Sequence, residues 1–160
     1  MEPRKTPTVR DVMRRRLVTL TPEMTVAEAA AVLVKNRVSG APVVDRHGHL
    51  LGLLSEFDCL RAVVTAGYQR DGHDEIETVG RHMTADPWTV PPTLDVLQLS
   101  MAFVQRHVRK FPVVEGGRLI GLVSRRDALE AAMVQGKSAD RPHYPDYPED
   151  RIPLSEVTRH

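Results

Sequence analysis

The sequence predicts an α+β fold built from two copies of one β-α-β-β-α unit. Three observations support this prediction: the chain repeats itself at a spacing of about 70 residues, each copy alternates strand-like and helix-like hydrophobic patterns, and each copy is only about 55 residues long. A unit of that length buries a marginal core by itself. The two copies are therefore expected to press their sheets together as a pseudo-two-fold pair with two related clefts.

The repeat is visible as identical residues at a nearly constant offset. Nine residues before Arg46 have an identical partner 70 positions later, and eight residues after it have one 69 positions later. Ordinary residue frequencies would give about three identities by chance. The pairs are Val9/Val79, Met13/Met83, Thr19/Thr89, Pro22/Pro92, Val26/Val96, Val38/Val108, Pro42/Pro112, Val43/Val113, Val44/Val114, Gly48/Gly117, Leu50/Leu119, Gly52/Gly121, Leu53/Leu122, Ser55/Ser124, Asp58/Asp127, Leu60/Leu129 and Ala62/Ala131.

The repeat divides the chain into four parts. The two copies span residues 9–65 and 79–135, and a polar connector at 66–78 joins them. A proline-rich tail at 136–160 follows, and we expect it to be extended and irregular because proline disfavours helix interiors.

Each copy is expected to open with an extended segment and then a helix that begins at a capping box. In such a box the N-cap side chain and a side chain three residues later each accept a hydrogen bond from the other's backbone N–H. Thr25 with Glu28 and Asp95 with Gln98 have this spacing. Two strands joined by a glycine turn and a closing helix complete each copy. The extended segments are predicted at 18–20 and 88–90, the paired strands at 42–45, 50–54, 112–115 and 119–123, and the closing helices at about 56–65 and 125–135.

Composition excludes several classes of function. Lys and Arg (22) balance Asp and Glu (21), and aromatic residues make up only 4%, which argues against a nucleic-acid partner held by bulk charge or base stacking. The single cysteine, Cys59, excludes a disulfide framework and is expected to be a small buried residue. No apolar run approaches the roughly 20 residues of a membrane span, and no secretory pattern opens the chain. We therefore expect a cytoplasmic protein. No metal site is expected, because His47 and His49 share a hairpin turn without a third ligand near them in the sequence.

The motifs of both copies resemble the cystathionine-β-synthase (CBS) domain. In the first copy the resemblance rests on Val38-Ser-Gly-Ala-Pro42-Val-Val-Asp45, Gly52 and Ser55-Glu-Phe-Asp58. In the second copy it rests on Val108-Arg-Lys-Phe-Pro112-Val-Val-Glu115, Gly121 and Ser124-Arg-Arg-Asp127. Two such copies in tandem resemble a Bateman module. The resemblance implies a regulatory role, with AMP, ADP, ATP or S-adenosylmethionine bound in the clefts as the regulatory ligand.

The resemblance also implies roles for individual residues. Asp58 and Asp127 would accept hydrogen bonds from the ribose hydroxyls, and Ser55 and Ser124 would supply hydroxyl contacts. The adenine wall is implied at Gly40 and Ala41 in the first copy and at Lys110 and Phe111 in the second. The extended segment that comes before the first long helix of each copy, called the leading segment from here on, contributes Thr19, Thr21 and Thr89. Basic residues against phosphate are implied at Arg109, Lys110 and Arg126.

The chemistry of the Ser-x-x-Asp motifs supports two interpretations. One carboxylate can accept hydrogen bonds from both hydroxyls of a ribose, and a serine where a strand becomes a helix lies beside free N–H groups that attract anions. The same spacing is also a helix cap, with Asp in the place of Glu. Both interpretations can hold at once.

The two motifs are not expected to be equivalent. Basic residues surround the second motif, namely Arg109, Lys110, Arg125 and Arg126. Glu56 and neutral residues stand at the matching positions of the first motif. Tighter binding of phosphorylated ligands is therefore predicted at Asp127, and the alternative is that the basic residues form a solvated surface patch. The arginine run 14–16 is expected to lie in a solvated turn rather than against an acidic partner.

Three classes of function remain open. The first is a regulatory module that binds an adenosyl ligand and signals in trans to an unknown effector protein. The second is a ligand-free structural or dimerisation module. The third is an enzyme, for which the sequence offers no nucleophile–base pair or metal constellation. A homodimer is expected because apolar stripes on the closing helices are typical of interfaces, at Leu60, Val63, Val64, Leu129, Ala132 and Met133.

Overall fold

The structure, a computed structural model, describes residues 5–68, 76–136 and 156–159. These residues form two compact units, named here after the repeat that supplies most of each. The first-repeat unit holds 16–68, 76–87 and 117–119, and the second-repeat unit holds the other described residues. Both units mix helices and strands, so the predicted α+β fold class is confirmed.

The elements follow the predicted order, with short additions. In chain order they are α1 (Val9–Val12), α2 (Val26–Asn36), β1 (Gly40–Val44), β2 (Leu50–Ser55), α3 (Glu56–Tyr68), α4 (Val79–His82), β3 (Thr84–Ala85), β4 (Trp88–Thr89), α5 (Val96–Arg106), β5 (Lys110–Glu115), β6 (Arg118–Ser124), α6 (Arg125–Gly136) and β7 (Thr158–Arg159).

The first-repeat unit is a small sheet with helices packed together beside it. β1 and β2 form an antiparallel hairpin in which Gly40 lies opposite Ser55. β3 pairs with the other edge of β2, and the leading segment joins β1 through a parallel bridge from Leu20 to Val43. Helix α2 packs against α3, and α4 packs against both. The hairpin thus places the end of β2, where α3 begins, beside the start of β1.

The second-repeat unit has the same plan. β5 and β6 form the hairpin, and the leading segment joins β5 through a parallel bridge from Val90 to Val113. Arg14 bridges the other edge of β6 at Leu122, at the place that β3 takes in the first-repeat unit. Helix α5 packs against α6, as does α1.

The predicted capping boxes and glycine turns are confirmed. The Thr25 side chain accepts from the N–H of Glu28 (3.1 Å), and the Glu28 carboxylate accepts from the N–H of Thr25 (2.9 Å). Asp95 and Gln98 make the same pair of bonds at the start of α5. In the hairpin turns, Gly48, Gly116 and Gly117 all have positive φ, which a residue with a Cβ adopts at a cost.

The sequence patterns did not predict the short helices α1 and α4, which lie at the start of the two repeats. The residues that hold them, 9–15 and 79–85, are named here the opening segments, and each packs with the other repeat. Val9 and Val79 occupy equivalent repeat positions, and both are fully buried. Val9 lies in the core of the second-repeat unit, where its N–H donates to Leu94 O (2.8 Å). Val79 lies in the core of the first-repeat unit, where its N–H donates to Met24 O (2.8 Å). Each unit therefore takes its opening helix from the first residues of the other repeat.

The tail contributes four described residues to the second-repeat unit. β7 pairs with β4, and Val157 is 3% exposed among the core residues. The tail prolines lie outside the described residues, as do residues 69–75 of the connector. Among the helices that the structure describes, none is both long and apolar enough to cross a bilayer.

Candidate functional site

The first Ser-x-x-Asp motif lies where β2 ends and α3 begins. The Asp58 Oδ2 atom accepts hydrogen bonds from the backbone N–H of Ser55 (2.8 Å) and from its hydroxyl (2.7 Å), and the N–H of Asp58 donates to Ser55 Oγ (3.2 Å). This is a capping box with a short acid in it. The other carboxylate oxygen, Asp58 Oδ1, lies 3.2 Å from the guanidinium of Arg61, one turn further along α3.

The second motif repeats this geometry where β6 meets α6. Asp127 Oδ2 accepts from the N–H and the hydroxyl of Ser124, both at 2.8 Å, and the N–H of Asp127 donates to Ser124 Oγ (3.2 Å). The capping interpretation is therefore realised in both motifs. Each aspartate uses Oδ2 for the cap, which leaves Oδ1 as the oxygen that can accept from a ligand.

An arginine that the sequence analysis placed in a solvated turn lies beside the second motif. Arg14 Nε is 3.7 Å from Asp127 Oδ1. Two backbone hydrogen bonds with Leu122, of 2.9 and 3.0 Å, fix the main chain of Arg14, while its side chain is 70% exposed. The expectation of a solvated turn is therefore corrected in part: the side chain is solvated, but it faces a carboxylate. The exchange of opening segments places it there, and a repeat alignment that pairs Arg14 with Thr84 gives no sign of it.

The predicted adenine-wall residues lie at the start of β1 and β5, and in the first-repeat unit Gly40 lies directly opposite the motif serine Ser55. A Cβ on Gly40 would lie 2.9 Å from Leu54 O and 3.2 Å from the Ser55 Cα, so the hairpin itself requires glycine there. Ala41 is buried. Phe111 is fully buried, with its ring 4.7 Å from that of Phe103 in the core. At Phe111 the backbone, rather than the side chain, is what remains for a ligand.

The leading segments of the two units differ in exposure. Thr19 and Thr21 are exposed in the first-repeat unit. Thr89, the partner of Thr19 in the repeat, is 2% exposed, and its hydroxyl donates to Thr158 O (3.3 Å) on β7. The tail strand therefore covers the predicted site residue Thr89.

The basic residues of the second motif spread over several partners. Arg126 Nε lies 3.3 Å from the Glu130 carboxylate on the exposed side of α6, and Arg125 Nε donates to Val108 O (2.6 Å). Arg109 is exposed and Lys110 half-buried at the start of β5. Lys110 begins β5, and Arg109 directly precedes it, with its carbonyl accepting from the N–H of Arg125 (3.2 Å) at the start of α6.

Two other titratable groups behave as their surroundings dictate. Burial, and secondarily the charge of Asp58, raises the pKa of the Cys59 thiol, which fits the expected inert buried cysteine.

The turn between β1 and β2 contains Asp45, whose Oδ1 accepts hydrogen bonds from the N–H groups of His47 (2.7 Å) and His49 (2.9 Å). Bonds from His49 and His47 lower the pKa of Asp45 to about 2. Among the described residues no three His, Cys, Asp or Glu side chains cluster as metal ligands.

Comparison with known proteins gives one consistent family. The CBS domain matches twice, at residues 9–65 and 76–134. Protein MJ1426 of Methanocaldococcus jannaschii is 41% identical over 151 residues, with 77% of this chain and 89% of that protein covered. Protein MJ1225 of the same organism is 29% identical over 122 residues, which are 76% of this chain but only 41% of MJ1225.

A solved structure supports the same assignment. The crystal structure of CBSX2 in complex with AMP superposes with a TM-score of 0.71 at 29% identity, and it covers 81% of this chain and 98% of that one. Both repeats carry the Ser-x-x-Asp cap at the end of the second hairpin strand, and both match the family. The chain therefore belongs to the CBS-domain family, with two CBS domains in tandem.

Proposed function

We propose that this CBS pair is a regulatory module that binds an adenosyl ligand at its Ser-x-x-Asp motifs. One observation carries the proposal: each motif aspartate caps its helix through Oδ2 and turns Oδ1 toward an arginine that is itself more than half exposed. Two free hydroxyls of a ribose can donate to such an oxygen. The AMP complex of CBSX2, whose crystallised chain is covered to 98%, supports the choice of ligand class.

The surroundings of Oδ1 suit a nucleotide more than a free nucleoside. Arg61 in the first motif and Arg14 in the second lie within 4 Å of the aspartate, so a phosphate joined to the bound ribose would meet a positive charge. The motif serines, in contrast, already donate and accept within the cap. We therefore assign the serines to holding the carboxylate in place, and the aspartates to contact with the ligand.

The output would act on a partner protein. Exposed apolar side chains follow one face of α3 and of α6, at Phe57, Leu60, Val63, Val64, Leu129, Met133 and Val134. Faces of this kind are typical of subunit interfaces. We propose that they form a homodimer and that an effector protein reads its state in trans. The cytoplasmic location stays a prediction, which fractionation of cells that express the tagged protein would check.

Calorimetric titration with AMP tests the proposal. Asp58→Ala and Asp127→Ala should each weaken AMP binding at their own site by about tenfold or more, because a hydrogen bond to a charged group contributes roughly 1.5–3 kcal/mol. Matched controls exist, because Glu28 and Gln98 hold the same position in the capping boxes of α2 and α5. Glu28→Ala and Gln98→Ala should cost a similar amount of stability and leave AMP affinity unchanged.

A second candidate function is a ligand-free dimerisation module. The exposed faces of α3 and α6 favour it independently of any ligand. A dimer in sedimentation experiments, together with no heat and no rise in melting temperature upon addition of AMP, ADP, ATP or S-adenosylmethionine, would support this function and overturn the first. Turnover of any of these nucleotides would instead revive the enzyme hypothesis.

A further inference from the structure

The last described residues of the chain lie on the leading segment of the second-repeat unit. β7 pairs antiparallel with β4, with Thr158 opposite Thr89 and Arg159 opposite Trp88. The Thr89 hydroxyl donates to Thr158 O (3.3 Å), and Val157 is buried in the core of the unit. Strand pairing, a side-chain hydrogen bond and one buried valine thus anchor this short segment.

The same surface is open in the first-repeat unit. Thr19 and Thr89 each stand one residue before the parallel bridge that joins the leading segment to the hairpin. Thr19 is exposed and Thr89 is not, and the contact that distinguishes them is β7. Among the described residues no strand pairs with the leading segment at Thr19. The covering strand is therefore an addition to the repeat.

The attachment of 156–159 is weak enough to be reversible. Two paired residues and one buried side chain must offset the entropy lost when four residues are ordered, and a short two-stranded pairing is marginal by itself. The guanidinium of Arg159 lies 4.8 Å from the centroid of the Trp88 ring, and that of Arg106 lies 3.9 Å from it. Trp88 would therefore keep one arginine and lose the other if the segment left.

We propose that residues 156–159 form a reversible strap on β4 whose docking competes with an adenosyl ligand at the Ser124–Asp127 motif. This inference rests on the proposed function. β4 leads into Val90, whose N–H donates to Pro112 O (3.1 Å) on β5, and β6, which ends at Ser124, pairs with β5. A ligand that extends from the motif across the start of β5 reaches the leading segment that the strap covers.

The competition has a calculable size and a consequence for signalling. A strap docked for about four fifths of the time would weaken the apparent affinity of the second motif about fivefold, because only the open fraction binds. Because docking and binding exclude each other, the ligand would in turn lower the fraction of chains with the strap docked, and more so as its concentration rises. Binding at the second motif would therefore release the C-terminal segment and expose Thr89.

The strap can be tested in the full-length chain, because the fluorescence of Trp88 reports on the segment that the strap covers. Trp88 is the only tryptophan of the chain, so its emission reports on β4 alone. In an Asp58→Ala background, which leaves the second motif to be measured, Val157→Ser should shift the emission to longer wavelength and tighten AMP binding about fivefold. The matched control is Val104→Ser, at an exposed valine on α5, which should do neither. AMP added to the unstrapped variant should move the emission less than AMP added to its parent.

A second variant guards against a folding defect in the first. Thr158→Pro disturbs the β7–β4 pairing and leaves the buried valine unchanged, and it should give the same emission shift and the same gain in AMP affinity. Equal AMP affinities in the parent and in both variants would overturn the strap while the proposed function stands. No emission shift in either variant would overturn docking itself. Failure of every chain, including the wild type, to bind AMP would overturn both.

Discussion

The two Ser-x-x-Asp motifs are alike inside and different outside. The hydrogen bonds between aspartate and serine have the same lengths in both motifs to within 0.1 Å. The second carboxylate oxygen, Oδ1, lies beside Arg61 of the same helix in the first motif and beside Arg14 of the opening segment in the second. The repeat therefore preserves the cap and varies what approaches it. The difference teaches that the capping residues fix where the carboxylate lies, and that the neighbouring segments set what it can recognise.

The hairpins beneath the motifs differ in the same way. Ala41 and Phe111 stand at equivalent positions at the start of β1 and β5, and both are buried. The larger side chain packs on Phe103 in the core of the second-repeat unit. The side chains buried beneath the two motifs therefore differ in size, while the backbone of the two motifs has the same geometry.

The largest effect on stability is expected from shortening Phe111, the larger side chain of the pair Ala41 and Phe111. Phe111→Ala should lower the free energy of unfolding by about 3–5 kcal/mol, because it removes a fully buried ring and leaves a cavity. Denaturant unfolding would measure the loss. Phe111→Leu should keep the chain folded and leave AMP affinity within about twofold, because the side chain points into the core. A tenfold loss of AMP affinity in Phe111→Leu would restore the aromatic side chain as an adenine wall.

A smaller effect sharpens the comparison of the two arginines. Arg14→Ala should weaken AMP at the second motif about two- to fivefold, since an exposed charge contributes up to about 1 kcal/mol. Adenosine binding should not change, and the AMP effect should shrink in high salt. Arg61→Ala is the matched change at the first motif. If Arg14→Ala weakened AMP and adenosine equally, its role would be to position Asp127 rather than to attract phosphate.

The smallest expected effect is the pH-dependent stability that Asp45 contributes in the first hairpin turn. Bonds from the N–H groups of His49 and His47 hold the pKa of Asp45 at about 2, below its ordinary value of 3.8. Asp45 therefore stabilises the fold above about pH 4, and this contribution is lost as the pH falls toward 2. The melting temperature of Asp45→Asn should lie below that of the wild type at pH 6 and converge with it near pH 2. Glu115→Gln, at the equivalent turn position, removes an exposed pair with Arg10 and should change little at pH 6.

Local patterns were enough to predict most of the fold. The capping boxes at Thr25 and Asp95, the glycine turns and the closing helices depend on residues close together in the chain, and all are confirmed. The Ser-x-x-Asp spacing likewise predicted a cap, and Ser55 and Asp58 form one. The family resemblance is confirmed because order and spacing over the whole repeat carry it.

Contacts between distant parts of the chain could not be predicted in this way. Val9 packs with a repeat that begins 70 residues later, and Arg14 reaches Asp127 through the same exchange. The strand that covers Thr89 comes from beyond a proline-rich stretch that suggested only irregular structure. Phe111 shares its motif position with Ala41, so spacing alone could not show which way the ring points.

The central claim is that one aspartate serves as both helix cap and ribose acceptor, and comparison of AMP with 2′-deoxy-AMP tests it most directly. Calorimetry should give about tenfold weaker binding of the deoxy ligand by the wild type, since a hydrogen bond to a carboxylate is lost. In the chain with both Asp58→Ala and Asp127→Ala, the two ligands should bind with equal, weakened affinity, as a double-mutant cycle requires. Equal affinities for both ligands in the wild type would contradict the claim and leave the two motifs as helix caps.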